Sequence, residues 1–145
     1  MTPCKAIEHQ ICLLDTDYID LYLIHAPWGH KPKSSKFDLE SETDQSGNPI
    51  LDDFDHVEIW RELENAVDLG LVKHIGVSNF DSAQVDNILK NCRIRPINNQ
   101  IEIHPFLDQS EIMRHHVNEN ISITSYMSLG RGDRTKVKYP TGESG

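Results

Sequence analysis

The sequence has little positive charge and no long hydrophobic run. Its 145 residues include 14 Lys and Arg against 23 Asp and Glu, for a formal net charge of −9. Nucleic acids and anionic membrane surfaces are bound mainly through basic faces, so neither is an expected partner. Every apolar run is shorter than the roughly 18 residues that a membrane-spanning helix needs. The N-terminus, MTPCKAIEHQ, also lacks the apolar segment of a signal peptide.

Cysteine is scarce as well. Cys4, Cys12 and Cys92 are odd in number, far apart and outside any CxxC spacing. This usage favours free thiols in a reducing compartment over a disulfide framework or a zinc site. His115 and His116 are adjacent on a predicted helix and so point in different directions, which argues against a shared metal. We therefore expect a cytoplasmic protein without a metal.

Common nucleotide and hydrolase motifs are missing too. The sequence contains no Walker loop, no GxGxxG and no GxSxG. These motifs cradle phosphates or expose a nucleophilic serine. Their absence removes the usual signals for P-loop, dinucleotide-fold and serine-hydrolase chemistry.

What the sequence does contain is an alternation of apolar runs and amphipathic stretches. Runs typical of strands cover 18–24, 72–77, 96–101 and 121–126. Helical spacing of apolar residues covers 3–14, 55–69, 81–90 and 109–118. This order implies βαβ units and a parallel sheet, in either a doubly wound open sheet or part of a β/α barrel. The chain is well short of the roughly 250 residues of a complete eight-fold barrel.

Helix ends and irregular segments are also marked. Asp55, with Glu58 three residues later, predicts a capping box, and Gly70 predicts the end of that helix. Residues 26–54 are polar, acidic and interrupted by Pro and Gly, which is typical of a functional or mobile loop. The segment from 131 onward has little apolar content and is expected to be loosely ordered.

Hydrogen-bonding side chains follow all four predicted strands. They are His25 after the first, Ser78 and Asn79 after the second, Asn98, Asn99, Gln100, Glu102 and His104 at the third, and Tyr126 and Ser128 at the fourth. In both α/β architectures, ligands bind at the carboxyl ends of the strands. We therefore predict one polar site able to hold a planar amide or a carbonyl. Each residue also has an ordinary explanation as a helix cap, a strand end or a core side chain.

Four segments resemble the aldo-keto reductase family, in the family's order. They are DYIDLYLIHAP at 17–27, LENAVDLGLVKHIGVSNF at 63–80, NNQIEIHPFLDQ at 98–109 and ITSYMSLG at 123–130. The resemblance covers about residues 3–134. It implies a partial (β/α)8 TIM barrel of about four parallel β/α units at 1–134, followed by a flexible tail at 135–145.

The resemblance also implies a cofactor and roles for particular residues. The family reduces carbonyls with a hydride from NADPH and without metal. Ser78, Asn79 and Gln100 match positions that hydrogen-bond the nicotinamide carboxamide. Tyr126 matches the aromatic residue that stacks on the nicotinamide ring. Leu129 matches a position that touches the phosphate bridge of the cofactor.

The substrate side follows from the same resemblance. His25 matches the active-site histidine, which orients and polarises the carbonyl of a small-molecule substrate. The segment 26–54 matches a variable loop that shapes the substrate pocket, with Ala26 and Trp28 as wall residues. The substrate itself is not specified by these motifs.

The chain also departs from the family pattern. The family's catalytic Tyr, Lys and Asp lie upstream of the segment matched by 17–27, and Met127 and Arg131 replace residues that are usually small or hydroxylic. A general acid typically contributes about 10²–10⁴-fold to a rate. We therefore expect a truncated reductase with weak or no activity by itself.

Two other interpretations remain open. Four parallel strands cannot close a barrel, so the chain could be an inactive fragment that acts by binding, or by self-association through its open sheet edges. Alternatively, it could be an independent open-sheet nucleotide-binding module. The absence of a Gly-rich first turn counts against that second alternative.

Overall fold

A computed structural model describes residues 3–33, 41–52 and 55–130. The helices are α1 (Pro3–Leu14), α2 (His56–Asp68), α3 (Ser82–Asn91) and α4 (Ser110–Asn118). The strands are β1 (Ile19–Ile24), β2 (Gly29–His30), β3 (Leu51–Asp52), β4 (Val72–Ser78), β5 (Asn98–Glu102) and β6 (Ser122–Tyr126). The predicted alternation of strands and helices is confirmed, with boundaries moved by at most two residues. No helix in these ranges is long and apolar enough to cross a membrane.

The main sheet has four parallel strands in the order β1-β4-β5-β6. Each strand is added on the same side of the strand before it. A doubly wound sheet reverses its strand order at a switch point, whereas a β/α barrel does not. The strand order therefore favours the barrel over the open sheet that the sequence had left possible. Within the described residues, β1 and β6 are the two edges of this sheet.

One face of the sheet, the helix-covered face, carries the hydrophobic core. Ile75 and Val77 of β4 lie in one cluster with Trp60 and Leu63 of α2 and with residues of α1 and α3, and all four of these side chains are buried. Full burial of each such aliphatic side chain contributes about 1.5–3 kcal/mol. The indole of Trp60 also donates to the carbonyl of Ile94 at 2.9 Å, so its polar atom is not left unpaired.

The opposite face, here called the open face, comprises Leu21, Leu23, His74, Gly76, Ser78, Asn98, Gln100, Ser122 and Thr124. We assign them to this face because side chains alternate between the two faces along each strand. The amide of Asn98 donates to Ser122 Oγ at 2.9 Å and to Thr124 Oγ1 at 3.0 Å. Asn98 was expected in the strand-end site, but its side chain is used in this polar ladder instead.

Gly76 is required where β1, β4 and β5 approach one another. A Cβ at this position would lie 2.6 Å from the carbonyl oxygen of Asn98 and 2.7 Å from Cδ2 of Leu23. Real Cβ atoms essentially never come so close to backbone. The absence of a side chain therefore sets the close packing of the strands that carry the candidate site.

The helix ends correct one prediction. Asp55 is the N-cap of α2, but its carboxylate accepts from the amide of Val57 at 2.8 Å and forms no capping box with Glu58. The capping box occurs on α3 instead, where Asp81 and Gln84 bond each other's backbone amides at 2.8 and 3.0 Å. The carboxylate of an N-cap Asp can accept from an amide of the first helical turn by itself. It does not need the bond from the Glu58 side chain back to the N-cap amide that completes a capping box.

Gly70 ends α2 as predicted. It has φ +73°, and its amide donates to Val67 O at 2.9 Å while Leu71 N–H donates to Ala66 O at 3.0 Å. These two bonds form a Schellman motif, in which a glycine adopts the left-handed conformation.

The segment 26–54 contains more structure than the sequence predicted. Gly29 and His30 pair antiparallel with Leu51 and Asp52, and isolated bridges extend this ribbon. At its tip, Asp44 accepts from the amides of Ser46 and Asn48, and these bonds lower the pKa of its carboxyl group. Strands of two residues carry no periodicity, so the sequence showed only a loop. Residues 34–40, 53–54 and 131–145, which include Arg131 and the expected tail, lie outside the described residues.

Candidate active site

Asn79 joins three strands at their carboxyl ends. Its Nδ2 donates to the carbonyl of His25 at 2.9 Å, directly after β1. Its Oδ1 accepts from the hydroxyl of Tyr126, the last residue of β6, at 2.7 Å. Asn79 itself follows β4, so one side chain ties β1, β4 and β6 together. Three of the predicted site residues are thus brought into direct contact.

Gln100 joins the same network through its backbone. Its carbonyl accepts from Ser78 Oγ at 2.7 Å and from the amide of Asn79 at 3.0 Å. The side-chain amide of Gln100 is half-buried and forms no hydrogen bond within the described part of the chain. A half-buried amide with unused donors and an acceptor is able to bind a ligand.

The residue that directly follows β4 and the residue that directly follows β6 both have a left-handed backbone conformation. Asn79 has φ +62°, and Met127, directly after Tyr126, has φ +50°. Asn tolerates this region, whereas a long side chain such as Met does so rarely, at a cost of about 1–3 kcal/mol. The surrounding fold therefore holds the backbone after β4 and after β6 at a positive φ.

A cavity of about 270 Å³ lies beside this network. Its lining includes Asn79 and Tyr126 together with Phe80, Ile101 and Glu102. This volume is just under the 300–1,000 Å³ typical of small-molecule pockets, so it fits part of a ligand. A larger depression of about 510 Å³ lies between the N-termini of α3 and α4 and contains none of the predicted site residues. Of the network, Asn79 and Tyr126 line the smaller cavity, whereas Ser78 and Gln100 do not. We therefore place the candidate site at the strand ends around Asn79, with this cavity adjoining it.

The remaining predicted residues lie around this network. His25 presents an exposed side chain at the end of β1, and the following Ala26 is half-buried. Trp28 is 54% exposed and Leu129 is 77% exposed. Neither is part of the hydrogen bonds that join Asn79, Gln100 and Tyr126, and neither lines the cavity beside them.

His56 is a neighbour that the sequence reasoning missed. Its Nε2 donates to the carbonyl of Pro27 at 2.7 Å, and its ring lies 5.0 Å from that of Phe80. The first residue of α2 thereby fixes the start of the loop that follows His25. It was missed because this bond spans 29 positions and has no local signal.

Glu102 and His104, both named at the third strand end, pair with each other. Glu102 Oε1 lies 3.3 Å from His104 Nε2, and His104 Nδ1 accepts from the amide of Phe106 at 3.2 Å. Ser128 similarly pairs with Ser125, at 2.7 Å between their hydroxyls. None of these four side chains bonds to Asn79, so the predicted single site is smaller than the set of polar strand ends.

Asn99 is a correction. It was expected with the polar strand ends, but its side chain lies on the helix-covered face, where Nδ2 donates to the carbonyl of Phe80 at 2.9 Å and also meets His116 Nε2 at 2.9 Å. The period of two along a strand could have shown this, because Gln100 and Asn99 must point to opposite faces. In the described ranges, no group of three or more His, Cys, Asp or Glu is arranged to hold a metal.

Comparison with known proteins gives a consistent family. The model of the Aldo/keto reductase family matches residues 4–144. Dihydrodiol dehydrogenase 3 of Bos taurus is 39% identical over 127 residues, covering 86% of this chain and 38% of that protein. Aldose reductase of Encephalitozoon cuniculi is 40% identical over 137 residues, covering 94% and 44% respectively.

Solved structures agree with this result. The aldose reductase structure from Schistosoma japonicum superposes with a TM-score of 0.78 at 42% identity, over 84% of this chain and 39% of that chain. The aldose reductase from Giardia lamblia gives 0.77 at 30% identity, over 97% and 43%. The expected partial (β/α)8 TIM barrel is therefore confirmed. The chain spans about two-fifths of the length of these relatives.

Proposed function

The chain belongs to the aldo/keto reductase family, and we propose that its strand-end site binds the nicotinamide end of NADPH for the reduction of aldehydes and ketones to alcohols. The observation that carries this proposal is the hydrogen-bonded network that joins Ser78, Asn79, Gln100 and Tyr126 at the carboxyl ends of the strands. Because the chain spans only part of its relatives, the activity of a whole reductase is itself part of the proposal.

The polar groups suit a carboxamide, which has two N–H donors and one carbonyl acceptor. Ser78 Oγ donates its hydrogen to Gln100 O and accepts from Asn79 Nδ2 at 3.2 Å, which leaves one lone pair for a ligand donor. Asn79 Oδ1 accepts from Tyr126 and keeps a second lone pair. The side-chain amide of Gln100 offers both a donor and an acceptor. Together these groups match every hydrogen-bonding atom of a carboxamide.

Tyr126 is proposed to provide the surface on which the nicotinamide ring stacks. Its hydroxyl is anchored on Asn79 at 2.7 Å, so the orientation of its ring is fixed before any ligand arrives. Aromatic faces prefer offset-stacked partners. Leu129, close after Tyr126 in the chain, is proposed to contact the phosphate bridge.

His25 is proposed to orient the substrate carbonyl, with Ala26 and Trp28 as pocket walls. The exposed ring of His25 stands at the end of β1, and its own carbonyl is bonded to Asn79. The same Asn79 therefore fixes the backbone of the proposed carbonyl-binding residue and touches the proposed cofactor site.

NADPH, when bound, supplies the hydride that the reduction requires. The residues of this chain bind and orient the two reactants. The family's catalytic Tyr, Lys and Asp have no match in residues 1–145 by the resemblance given above. We therefore propose weak NADPH binding and little turnover by these 145 residues alone, because a general acid is worth about 10²–10⁴-fold.

A fluorescence titration of the 145-residue chain with NADPH tests the binding. Gln100→Leu is expected to raise Kd about 3- to 10-fold, the effect of one hydrogen bond. Gln45→Leu, in the exposed ribbon tip, is the matched control and should leave Kd unchanged. Equal affinity of wild type and Gln100→Leu would reject the site, and no detectable binding would reject the function.

Self-association is a second candidate, supported by the edges of the sheet. Among the described residues, β1 and β6 have no strand on their outer sides, and Leu21 on the open face is exposed. Exposed parallel edges are sites for pairing with another chain. A mass that rises with concentration in light scattering would support this candidate, and a constant monomer mass would reject it.

The proposed location is the cytoplasm. Cys4, Cys12 and Cys92 are all free thiols. Burial is the main cause that raises the pKa of the Cys4 and Cys92 thiols, which keeps them protonated and unreactive at neutral pH. Free thiols of this kind persist in a reducing compartment.

A further inference from the structure

A buried chain of hydrogen bonds runs from α4 to the turn that follows β4. His116 Nδ1 lies 2.8 Å from the carbonyl of Ile112, and His116 Nε2 lies 2.9 Å from Nδ2 of Asn99. The same Nδ2 donates to the carbonyl of Phe80 at 2.9 Å. Both Asn99 and His116 are 0% exposed, so water does not substitute for any of these bonds.

The carbonyls at the two ends fix the direction of every bond. Phe80 O can only accept, so Asn99 must face it with Nδ2 rather than Oδ1. Nδ2 is therefore also the atom that faces His116 Nε2, which must accept. Ile112 O can only accept, so the hydrogen of the imidazole sits on Nδ1. The chain requires a neutral His116 with the hydrogen on Nδ1.

This chain holds the turn at 78–80 from its buried side. Asn79 is left-handed in that turn, its amide donates to Gln100 O, and the next carbonyl, Phe80 O, is bonded to Asn99. Gln100 and Asn99 are neighbours on β5 and point to opposite faces. The turn is thus held by the backbone carbonyl of Gln100 in the plane of the sheet and by the side chain of Asn99 on the helix-covered face.

Building on the proposed function, we propose that Asn99 and His116 are positioning residues that hold the turn at 78–80 toward the nicotinamide carboxamide, and that protonation of His116 releases this turn. Neither residue touches the site itself. They act through the carbonyl of Phe80, next to Asn79.

Protonation conflicts with the observed arrangement. A second hydrogen on His116 Nε2 would point at the donor Nδ2 of Asn99. Rotation of the Asn99 amide by 180° would relieve that contact, but it would place Oδ1 against Phe80 O, acceptor against acceptor. Asn99 Oδ1 already lacks a partner in the described ranges, so the amide has no alternative bond to gain.

The groups that face His116 favour the neutral form overall. Burial is the main cause that lowers the pKa of His116, and the neighbouring His115 of α4 lowers it further. The carbonyl of Ile112 raises it by less than burial lowers it, and the carboxylate of Asp86 on α3 has the smallest effect, also raising it. Asp86 is bonded to His115 Nε2 at 2.9 Å, and the two imidazole rings lie 5.3 Å apart.

The sign of the pH dependence follows from this lowered pKa. The unfolded chain takes up the proton near the ordinary value of 6.5, whereas the folded chain takes it up only at a lower pH. The contribution of neutral His116 to the free energy of folding is therefore complete above about pH 6.5 and falls as the pH drops below that value. The turn itself is released where the imidazole of the folded chain is protonated, at the lower pKa of the folded state.

His116→Gln is the informative variant because Gln keeps both bonds without titrating. Its Oε1 can accept from Asn99 and its Nε2 can donate to Ile112 O. From pH 7.5 down to the pH at which NMR shows the His116 imidazole of the folded chain to be protonated, we expect Kd for NADPH to rise roughly fivefold more in the wild type than in His116→Gln. His115→Gln, the adjacent histidine, is the control and should keep the wild-type pH dependence.

Equal pH dependence in the wild type and His116→Gln would overturn the proposal and leave the proposed function intact. If NADPH does not bind at any pH, the proposed function fails. Hydrogen exchange of the Asn79 amide then tests the positioning role without a ligand. At the pH at which NMR shows folded His116 to be protonated, we expect roughly fivefold faster exchange in the wild type than in His116→Gln. Equal exchange rates would overturn the positioning role.

Discussion

The two faces of the four-stranded sheet have different chemistry, and β4 shows the contrast within one strand. Ile75 and Val77 are buried in the core beneath the helices, whereas His74 points to the open face and is exposed. The helix-covered face stabilises the fold. The open face and the carboxyl ends of the strands carry polar groups with unused hydrogen-bonding capacity. Substitutions on the two sides should therefore separate stability from ligand binding.

The two tryptophans give the largest expected difference. Trp60 is 1% exposed within the core, and Trp28, in the segment that follows β1, is 54% exposed. Trp60→Ala should lower the free energy of unfolding by about 3–5 kcal/mol. Trp28→Ala should change it by less than about 0.5 kcal/mol. Urea denaturation of both variants measures the free energy of unfolding. Similar losses of stability in Trp60→Ala and Trp28→Ala would contradict the difference between the two positions.

Gly76→Ala tests how tightly the open face is packed. The added Cβ would lie 2.6 Å from a backbone oxygen of β5, so the strands must move apart. We expect a loss of about 1–3 kcal/mol in the free energy of unfolding. Ser46→Ala in the exposed ribbon tip is a control of similar size change, expected to be nearly neutral. An unaffected Gly76→Ala variant would show that the strand packing is looser than the structure indicates.

Tyr126→Phe tests whether the bond between Tyr126 and Asn79 supports NADPH binding. It removes the hydroxyl that donates to Asn79 Oδ1, which costs about 0.5–1.5 kcal/mol in unfolding and several-fold in NADPH affinity. Tyr22→Phe is the matched control on the helix-covered face, and it should leave NADPH affinity unchanged. Isothermal titration of the two variants makes the comparison, and equal affinities would contradict the role given to the Tyr126–Asn79 bond.

The smallest effect is expected at the surface. Lys73 and Asp20 form an ion pair at 2.9 Å, with exposed fractions of 49% and 77%. Such pairs contribute between about 0 and 1 kcal/mol and are screened by salt. Lys73→Gln should therefore change the melting temperature little, and less at high salt. A large decrease in melting temperature that does not depend on salt would show that residues outside the core also stabilise the fold.

The sequence specified the core better than the site. Apolar residues at helical and strand spacing marked all eight main elements, because burial on one face imposes that periodicity. The family resemblance indicated the residues that meet at Asn79. Their contacts, such as Tyr126 to Asn79 across 47 positions, depend on strand register, which no local pattern encodes.

The errors have the same physical origin. Asn98 and Asn99 were grouped with Gln100 by their position in the chain, although one bonds across the open face and the other lies among the helices. The ribbon in 26–54 was missed because its pairing is long-range and its strands are two residues long. In each case a tertiary contact decided the outcome.

The most direct test of the central claim is a thermal melt of the 145-residue chain and its Gln100→Leu variant, each with and without saturating NADPH. A ligand that binds only the folded state at 100 times its Kd adds about 2.7 kcal/mol of stability. We predict a cooperative transition that shifts upward in the wild type and clearly less in Gln100→Leu at the same NADPH concentration. No shift in the wild type, or an equal shift in both, would contradict a nicotinamide site at the strand ends.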